Sequence, residues 1–247
     1  MIKDNLEKKV RKNKMKTMLI IMVLLCAVFF IIFFKTDFFD VKHINVEGNV
    51  FLSNEEVIID SGITLGNNIF KEKIKMIEDN LLKNPYIKSV ELNRKLPNKI
   101  VIKIVERKEA AAIPFMGVYI YIDREGMVLR SSETLNGLKA VKGLEFDNFV
   151  EGEKLKVKDR EQLGNALRIV NGLDSQQIDI LELDVTDKDN VIIRLTDTLL
   201  CRVGIGNHFD YKLQVLNEIL LDIKEKDITR GVIDIRYDGH SSFRPVE

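Results

Sequence analysis

Cysteine and histidine are scarce in this chain, and so is any excess of positive charge. Two cysteines, Cys26 and Cys201, stand far apart in 247 residues. No disulfide scaffold is expected, and the core must hold itself. The three histidines are His43, His208 and His240. His43 falls on the polar side of an alternating stretch. His208 follows Gly204-Ile205-Gly206-Asn207, and a G-x-G lacking its third glycine reads as a turn rather than a phosphate loop. His240, beside Ser241 and Ser242, has no G-x-S-x-G context. Asp187-Lys188-Asp189-Asn190 has the flavour of a calcium loop. Counted from Asp187, however, Ile192 and Thr198 stand where such a loop needs Gly and Glu. Paired carboxylates at Glu55-Glu56 and at Glu151 and Glu153 read as a helix N-terminus and a polar loop. The expectation is no catalytic, cofactor-binding or metal-binding residue, no small-molecule substrate and no enzyme.

Charge sums to zero over the chain but is unevenly spread. Residues 1–16 hold seven Lys/Arg against two acids, net +5, which leaves −5 for residues 17–247. A mildly acidic body lacks the field that phosphate backbones require, which argues against nucleic acid as a partner. Between Lys16 and Lys35 no residue is charged, and Thr17 to Phe34 is an 18-residue apolar run. As helix this measures about 27 Å, against a hydrocarbon core of about 30 Å, and the flanking lysines can snorkel to the headgroups. Lysine and arginine crowd the N-terminal flank, so the positive-inside bias puts the N-terminus in the cytoplasm. A cleaved signal peptide is the rival reading. Its apolar region is usually about 7–15 residues and ends at small side chains; this one ends in Phe29-Phe30-Ile31-Ile32-Phe33-Phe34. The segment reads as an anchor.

Beyond Phe39 the pattern is β-α-α-β-β. Ile44 and Val46 alternate with His43, Asn45 and Glu47, and Gly48-Asn49 closes the strand. Ser53-x-x-Glu56 predicts a capping box for a helix over 54–61, stopped by Gly62. Phe70, Ile74, Ile77 and Leu81 form a helical stripe ended by Asn84-Pro85. Strands are expected at 86–92 and 99–106 around a turn at 93–98, with Ile100, Ile102 and Ile104 facing one way. The remaining chain predicts a hairpin at 118–129, a helix capped by Asp159, strands at 178–185, 191–195 and 199–204, a helix over 211–224 and a last strand at 232–237. The fold class is α+β, with mainly antiparallel pairing. The expected organisation is a tail at 1–16, a transmembrane helix at 17–35, a first domain at 39–107 and a second at 108–247.

These parts, in this order, carry a resemblance. Ile44-Asn45-Val46-Glu47-Gly48-Asn49, Asn84-Pro85-Tyr86-Ile87-Lys88-Ser89-Val90 and the run from Leu96 to Arg107 resemble a POTRA domain. Tyr121-Ile122-Asp123-Arg124-Glu125-Gly126-Met127-Val128-Leu129 and Gly231-Val232-Ile233-Asp234-Ile235-Arg236-Tyr237 resemble the β domain of the bacterial cell-division family FtsQ/DivIB. The similarity runs from about residue 10 to the end. One departure is that Glu106-Arg107 is followed by Lys108-Glu109-Ala110-Ala111-Ala112, without the family's usual proline, which implies a less stiff join.

The resemblance implies a non-catalytic scaffold of the divisome at the division septum, in the cell membrane as a single-pass type II protein. It implies a POTRA next to the membrane and a β domain that binds bitopic partners of the FtsB/DivIC and FtsL kinds. It also implies a part in regulating the septal peptidoglycan synthesis machinery. The partner-binding residues it points to are Ile233, Asp234, Ile235, Arg236, Tyr237 and Phe243, on a strand expected at a sheet edge. The alternatives are a POTRA-containing export factor and a membrane-anchored cell-wall hydrolase. A phosphatase fused after Glu247 is expected to be active outside the cell, with full-length protein in the membrane fraction. A shortened, soluble mature form would restore the signal-peptide reading.

Overall fold

The structure is a computed structural model that describes residues 2–204, 209–237 and 240–245, the side chains of 2–10, 34–35 and 240 excepted. The chain divides into two compact units. The first comprises Met1–Lys83 with Ile87–Glu106, the second Asn84–Tyr86 with Arg107–Glu247.

Helix α1 (Ile2–Lys35) opens the first unit. Within it Arg11–Phe33, 23 residues of mean hydropathy 2.8, is long and apolar enough to cross a membrane, and none of that surface is buried inside the protein. A short 3₁₀ turn, Asp37–Phe39, leads into the POTRA-type sheet. Its strands are β1 (His43–Glu47), β2 (Ile87–Lys95) and β3 (Lys99–Glu106), in the order β1-β3-β2, with β1 parallel and β2 antiparallel to β3. Helices α2 (Asn54–Ser61) and α3 (Ile74–Leu81) lie between β1 and β2 in sequence. They bury Val57, Ile77 and Leu81, while Ile100, Ile102 and Ile104 are buried on β3.

The capping box is present in both directions. Glu56 N donates to Ser53 Oγ at 3.2 Å, and Ser53 N donates to Glu56 Oε2 at 2.8 Å. Gly62 ends α2 in the left-handed region at φ 68°, a conformation that only glycine adopts at no steric cost. Gly48 is needed for space: a Cβ there would sit 2.2 Å from the Ile104 carbonyl oxygen. Glu106, at the end of β3, accepts the N–H groups of Val50, Phe51 and Leu52 at 2.8–2.9 Å. It thereby satisfies a loop that has no ladder of its own.

Two expectations for this unit need correction. Phe70 is not on the helical stripe, because α3 begins only at Ile74. Its ring instead stacks on Phe33 at 4.4 Å between centroids. The hairpin turn is also shorter than 93–98, since β2 continues to Lys95. Its alternating polar residues lie along an exposed outer strand, which is why they read as a turn.

In the second unit nine strands form one sheet. They are β4 (Glu109–Phe115), β5 (Val118–Asp123), β6 (Val128–Ser132), β7 (Ala140–Lys142), β8 (Glu182–Asp184), β9 (Val191–Arg194), β10 (Leu199–Val203), β11 (Gly231–Tyr237) and β12 (His240–Pro245). Their order is β12-β11-β10-β9-β8-β7-β4-β5-β6. Pairing is antiparallel except for β10–β11, β4–β7 and β7–β8, so the sheet is mainly antiparallel as expected. Helices α4 (Arg160–Ser175) and α5 (Phe209–Glu225) bury Ile169, Leu173, Leu213 and Leu216 in one core with Ile193, Cys201, Ile233 and Ile235. The α4 cap is Asp159, whose carboxylate accepts from Glu161 N and Gln162 N at 2.9 and 3.1 Å.

Strand β4 was not expected at all. The alanine run taken as a loose join is a strand whose residues Ala110 to Ile113 are all buried. Consecutive burial means cover on both faces, and there a strand shows no alternation. Tyr86 Oη donates to Glu109 Oε1, and Arg130 Nε donates to the same oxygen, each at 2.6 Å.

Ile102, fully buried on the middle strand of the three, tests the first core. In a fragment spanning Asp40 to Arg107, Ile102→Asp would bury an unpaired charge at a cost of several kcal/mol, comparable with a small domain's whole stability. The cooperative melt is expected to be lost. A melt like the parent's would place Ile102 outside the core.

Candidate interaction edge

His43 is exposed on β1. His208 and the His240 side chain lie outside the described residues. Among the described residues no group of three His, Cys, Asp or Glu is placed to hold a metal. Asp187 works as a turn residue, its carboxylate accepting from Asp189 N at 3.0 Å. Cys201 is fully buried on β10. Burial, helped by the nearby Asp234 charge, pushes its thiol well above the usual range, so it packs as a small apolar side chain.

Backbone groups at the ends of the sheet give a clearer signal. A sheet has two edges, each with a row of donors and acceptors that no neighbouring strand satisfies. At the β6 edge the following loop satisfies them. Val128 N donates to Glu153 O at 2.9 Å, Gly152 N to Val128 O at 2.8 Å, and Ser131 N to Glu151 Oε1 at 3.0 Å. At the other end stands β12, and among the described residues no strand pairs with its outer side. The edge is therefore β12, not the strand at 232–237 that the sequence placed there. That strand, β11, lies between β10 and β12.

This changes what each candidate residue can offer. Ile233 and Ile235 are buried in the core, so their side chains are closed to any partner. Asp234 and Arg236, on the opposite face of β11, already bind each other, with Arg236 Nε to Asp234 Oδ1 at 3.0 Å and Nη2 to Oδ2 at 2.7 Å. The Arg236 guanidinium holds the Asp234 carboxyl below the usual carboxylate range. Tyr237 is 67 % exposed at the end of β11, with the Arg236 guanidinium 5.4 Å from its ring centroid. Phe243 is half-buried on β12, opposite Ile233.

Two residues missed by sequence reasoning hold this edge in place. Gly231 opens β11 where a Cβ would lie 2.5 Å from the Phe243 ring and 2.8 Å from the Arg244 carbonyl oxygen. Lys212 of α5 is buried, and its Nζ donates to the carbonyls of Arg236 at 2.9 Å and Gly204 at 3.2 Å. It thus fixes the ends of β10 and β11 together. A lysine within an amphipathic helix gives no hint of this, whereas a glycine opening a strand is a recognisable sign of close approach.

The other face of this end of the sheet is the one opposite Ile233 and Ile235. It carries Arg194, Arg202, Arg236 and Arg244, of which Arg202 and Arg244 are exposed.

A helix long and apolar enough to cross a membrane, a POTRA-type β-α-α-β-β unit and a mainly antiparallel α+β unit together define a protein of the POTRA class. Residues 39–107 match the family model described as POTRA domain, FtsQ-type, and residues 115–236 match that for the cell division protein FtsQ/DivIB C-terminal region. The chain belongs to the FtsQ/DivIB family of bacterial cell-division proteins. Among its relatives is the cell division protein DivIB of Clostridium botulinum, 26 % identical over 95 % of this chain and 93 % of the relative. DivIB of Clostridium acetobutylicum is 29 % identical over 85 % and 84 %. The cell division protein FtsQ of Syntrophotalea carbinolica is 29 % identical over 81 % and 75 %.

Gly231→Ala tests the seating of the edge strand. The added methyl must displace Phe243 or the Arg244 backbone, an overpacking that costs about 1–3 kcal/mol. Amide exchange is expected to accelerate in His240–Pro245 more than in the strands β4 to β6. Unchanged protection throughout would show that β12 does not rest on Gly231.

Proposed function

We propose that this protein is a non-catalytic scaffold of the division complex whose β12 edge takes up an extended segment of a bitopic partner. The partner is of the FtsB/DivIC kind, acting with an FtsL-type protein, and the assembly helps to regulate septal peptidoglycan synthesis. The observation that carries this reading is the asymmetry of the nine-stranded sheet, with a loop satisfying the β6 edge and β12 left open. Strand addition draws affinity from main-chain hydrogen bonds and specificity from flanking side chains. Tyr237 supplies a large amphipathic surface with little rotamer entropy to lose, and Phe243 lies beside the added strand. The arginines on the adjoining face favour a partner segment that carries acidic residues. Asp234 holds Arg236 in position, and Ile233 and Ile235 anchor β11 from the core side. In this reading the N-terminus is cytoplasmic and both units lie outside the membrane, at the septum.

Tyr237→Ala separates a contact residue from a structural one. As a hot spot it is expected to cost about 2 kcal/mol or more of binding, about thirty-fold in Kd, measured with the extracytoplasmic part of an FtsB/DivIC-type protein. The exposed ring contributes little to the fold, so the melting temperature is expected to stay put. Binding as tight as the parent's would remove Tyr237 from the site.

A further inference from the structure

The end of the first unit nearest the span has the make-up of a lipid-facing surface, built from three segments far apart in sequence. The first is the end of α1 itself. The last carbonyls of a helix have no partner within it, and one left bare at the edge of a bilayer is costly. Thr36 Oγ1 donates to Ile32 O at 2.6 Å. Asn68, from the loop between α2 and α3, donates its side-chain amide to Phe33 O at 2.9 Å while its Oδ1 accepts from Phe70 N at 3.0 Å. Backbone bonds knit the same loop to the linker after the span: Val41 N to Asn67 O at 2.8 Å, Gly66 N to Val41 O at 2.9 Å and Ile69 N to Phe39 O at 2.8 Å.

This tie fixes a depth. Phe33 is the last residue of the span-length segment, and the Phe70 ring lies 4.4 Å from the Phe33 ring and 5.3 Å from that of Phe39. With the helix in a bilayer, Phe70 is held at the level of the span's last turn. The third segment is the β2–β3 hairpin. Its tip residue Asn98 accepts from Lys42 N at 2.8 Å and His43 N at 3.3 Å, and Arg94 donates to Glu72 O at 2.5 Å. The tip therefore stands at the same end of the unit. Leu96 on it is 59 % exposed, and on the other two segments Phe38 is 55 % and Phe70 37 % exposed. Neighbouring them in sequence, Lys71, Lys73, Arg94 and Lys95 are exposed; of the acids on these segments, Glu72 accepts from Asn67 at 3.2 Å and Asp37 lies 3.7 Å from Lys42 Nζ.

We infer that this face is a second membrane contact: Phe38, Phe70 and Leu96 enter the interface of the leaflet at the Phe33 end of the span, and the neighbouring Lys and Arg residues meet the phosphates of anionic lipids. The inference rests on reading α1 as a membrane span. It accounts for apolar side chains left in the open beside a hydrophobic helix, and for the basic side chains that neighbour them in sequence. Aromatic rings favour the interfacial zone, and basic side chains within a Debye length of an anionic leaflet are drawn to it.

The chain has no tryptophan, so one introduced residue is the sole reporter. Full-length Phe70→Trp and Leu96→Trp would each be reconstituted into phosphatidylcholine vesicles containing phosphatidylglycerol and lipids brominated near the headgroup end of the acyl chain. Phe51→Trp is the control, in the loop that follows the far end of β1, an end that strand rise alone puts about 13 Å away. Quenching several-fold stronger at positions 70 and 96 than at 51, with emission moved to the blue, is the expected result. It should weaken when phosphatidylglycerol is omitted and when Lys71 and Lys95 are both changed to Gln. Leu96→Trp alters an exposed side chain, so it keeps the test open if the ring cluster does not tolerate the change at position 70. Equal, weak quenching at 51 and 96 in protein that floats with the vesicles would overturn the proposal and leave the face to a protein partner. Quenching indifferent to phosphatidylglycerol would overturn the role given to the basic residues. Failure to float with the vesicles would instead remove the anchor reading, and this inference with it.

Discussion

An open sheet always ends in two rows of backbone donors and acceptors, and what this protein does with them governs the second unit. One row is paired with the loop around Gly152 and Glu153. Covering that edge leaves β12, among the described residues, as the place where another strand could be added. A bulge between Asp234 and Tyr237 breaks its register. Pro245 at its end donates no bond, and Arg244 and Ser242 face solvent. These are the devices that keep an edge from pairing indiscriminately. An edge so guarded favours a partner that matches it over one that is merely extended.

The edge holds its position because the strand behind it is fixed from three sides. Ile233 and Ile235 are sealed in the core, the Phe243 ring lies against Gly231, and Lys212 draws the Arg236 carbonyl toward α5. The crossover from β10 through α5 to β11 makes that last contact possible. Parallel neighbours need a connection that returns over the sheet, and a helix is the usual one. A side chain from the first turn of such a helix reaches the ends of both strands. Gly204 permits the approach, since a Cβ there would lie 2.5 Å from the Arg236 carbonyl oxygen.

Much of this was legible in sequence because the signals were strong and local. The Ser53-Glu56 capping box, the Gly62 stop and the alternating isoleucines of β3 each have one simple physical reading, and each element is present; the uncharged run before Lys35 lies on a helix of span length. What escaped notice lacked such a signal. The alanines of β4 carry no β preference and show no alternation, because the strand is covered on both faces. Strand β12 has a single large apolar residue, Phe243, and so offers no apolar alternation from which a strand could be read. Five of the six residues expected at a partner site lie on β11 and the sixth, Phe243, on β12. Which of their side chains face outward could not be read from alternation, because both faces of β11 carry apolar residues: Val232 on one, Ile233 and Ile235 on the other.

Confinement to a membrane changes how strong such an edge has to be. Six residues of β12 offer only a few outward backbone groups, and each hydrogen bond contributes roughly 0.5–1.5 kcal/mol net. In free solution a strand bound this way would dissociate readily. A partner anchored in the same bilayer no longer loses all its translational freedom on binding, and short tethers produce effective concentrations on the order of millimolar. If β12 takes up a partner as proposed, a weak edge would then suffice for high occupancy inside an assembly while staying nearly empty toward unanchored chains. The tie from Asn68 to the end of the span adds to this argument. With α1 in a bilayer, each degree of freedom removed between the helix and the first unit would narrow the volume that this unit explores above the membrane, and a smaller volume means a higher effective concentration of whatever lies within its reach.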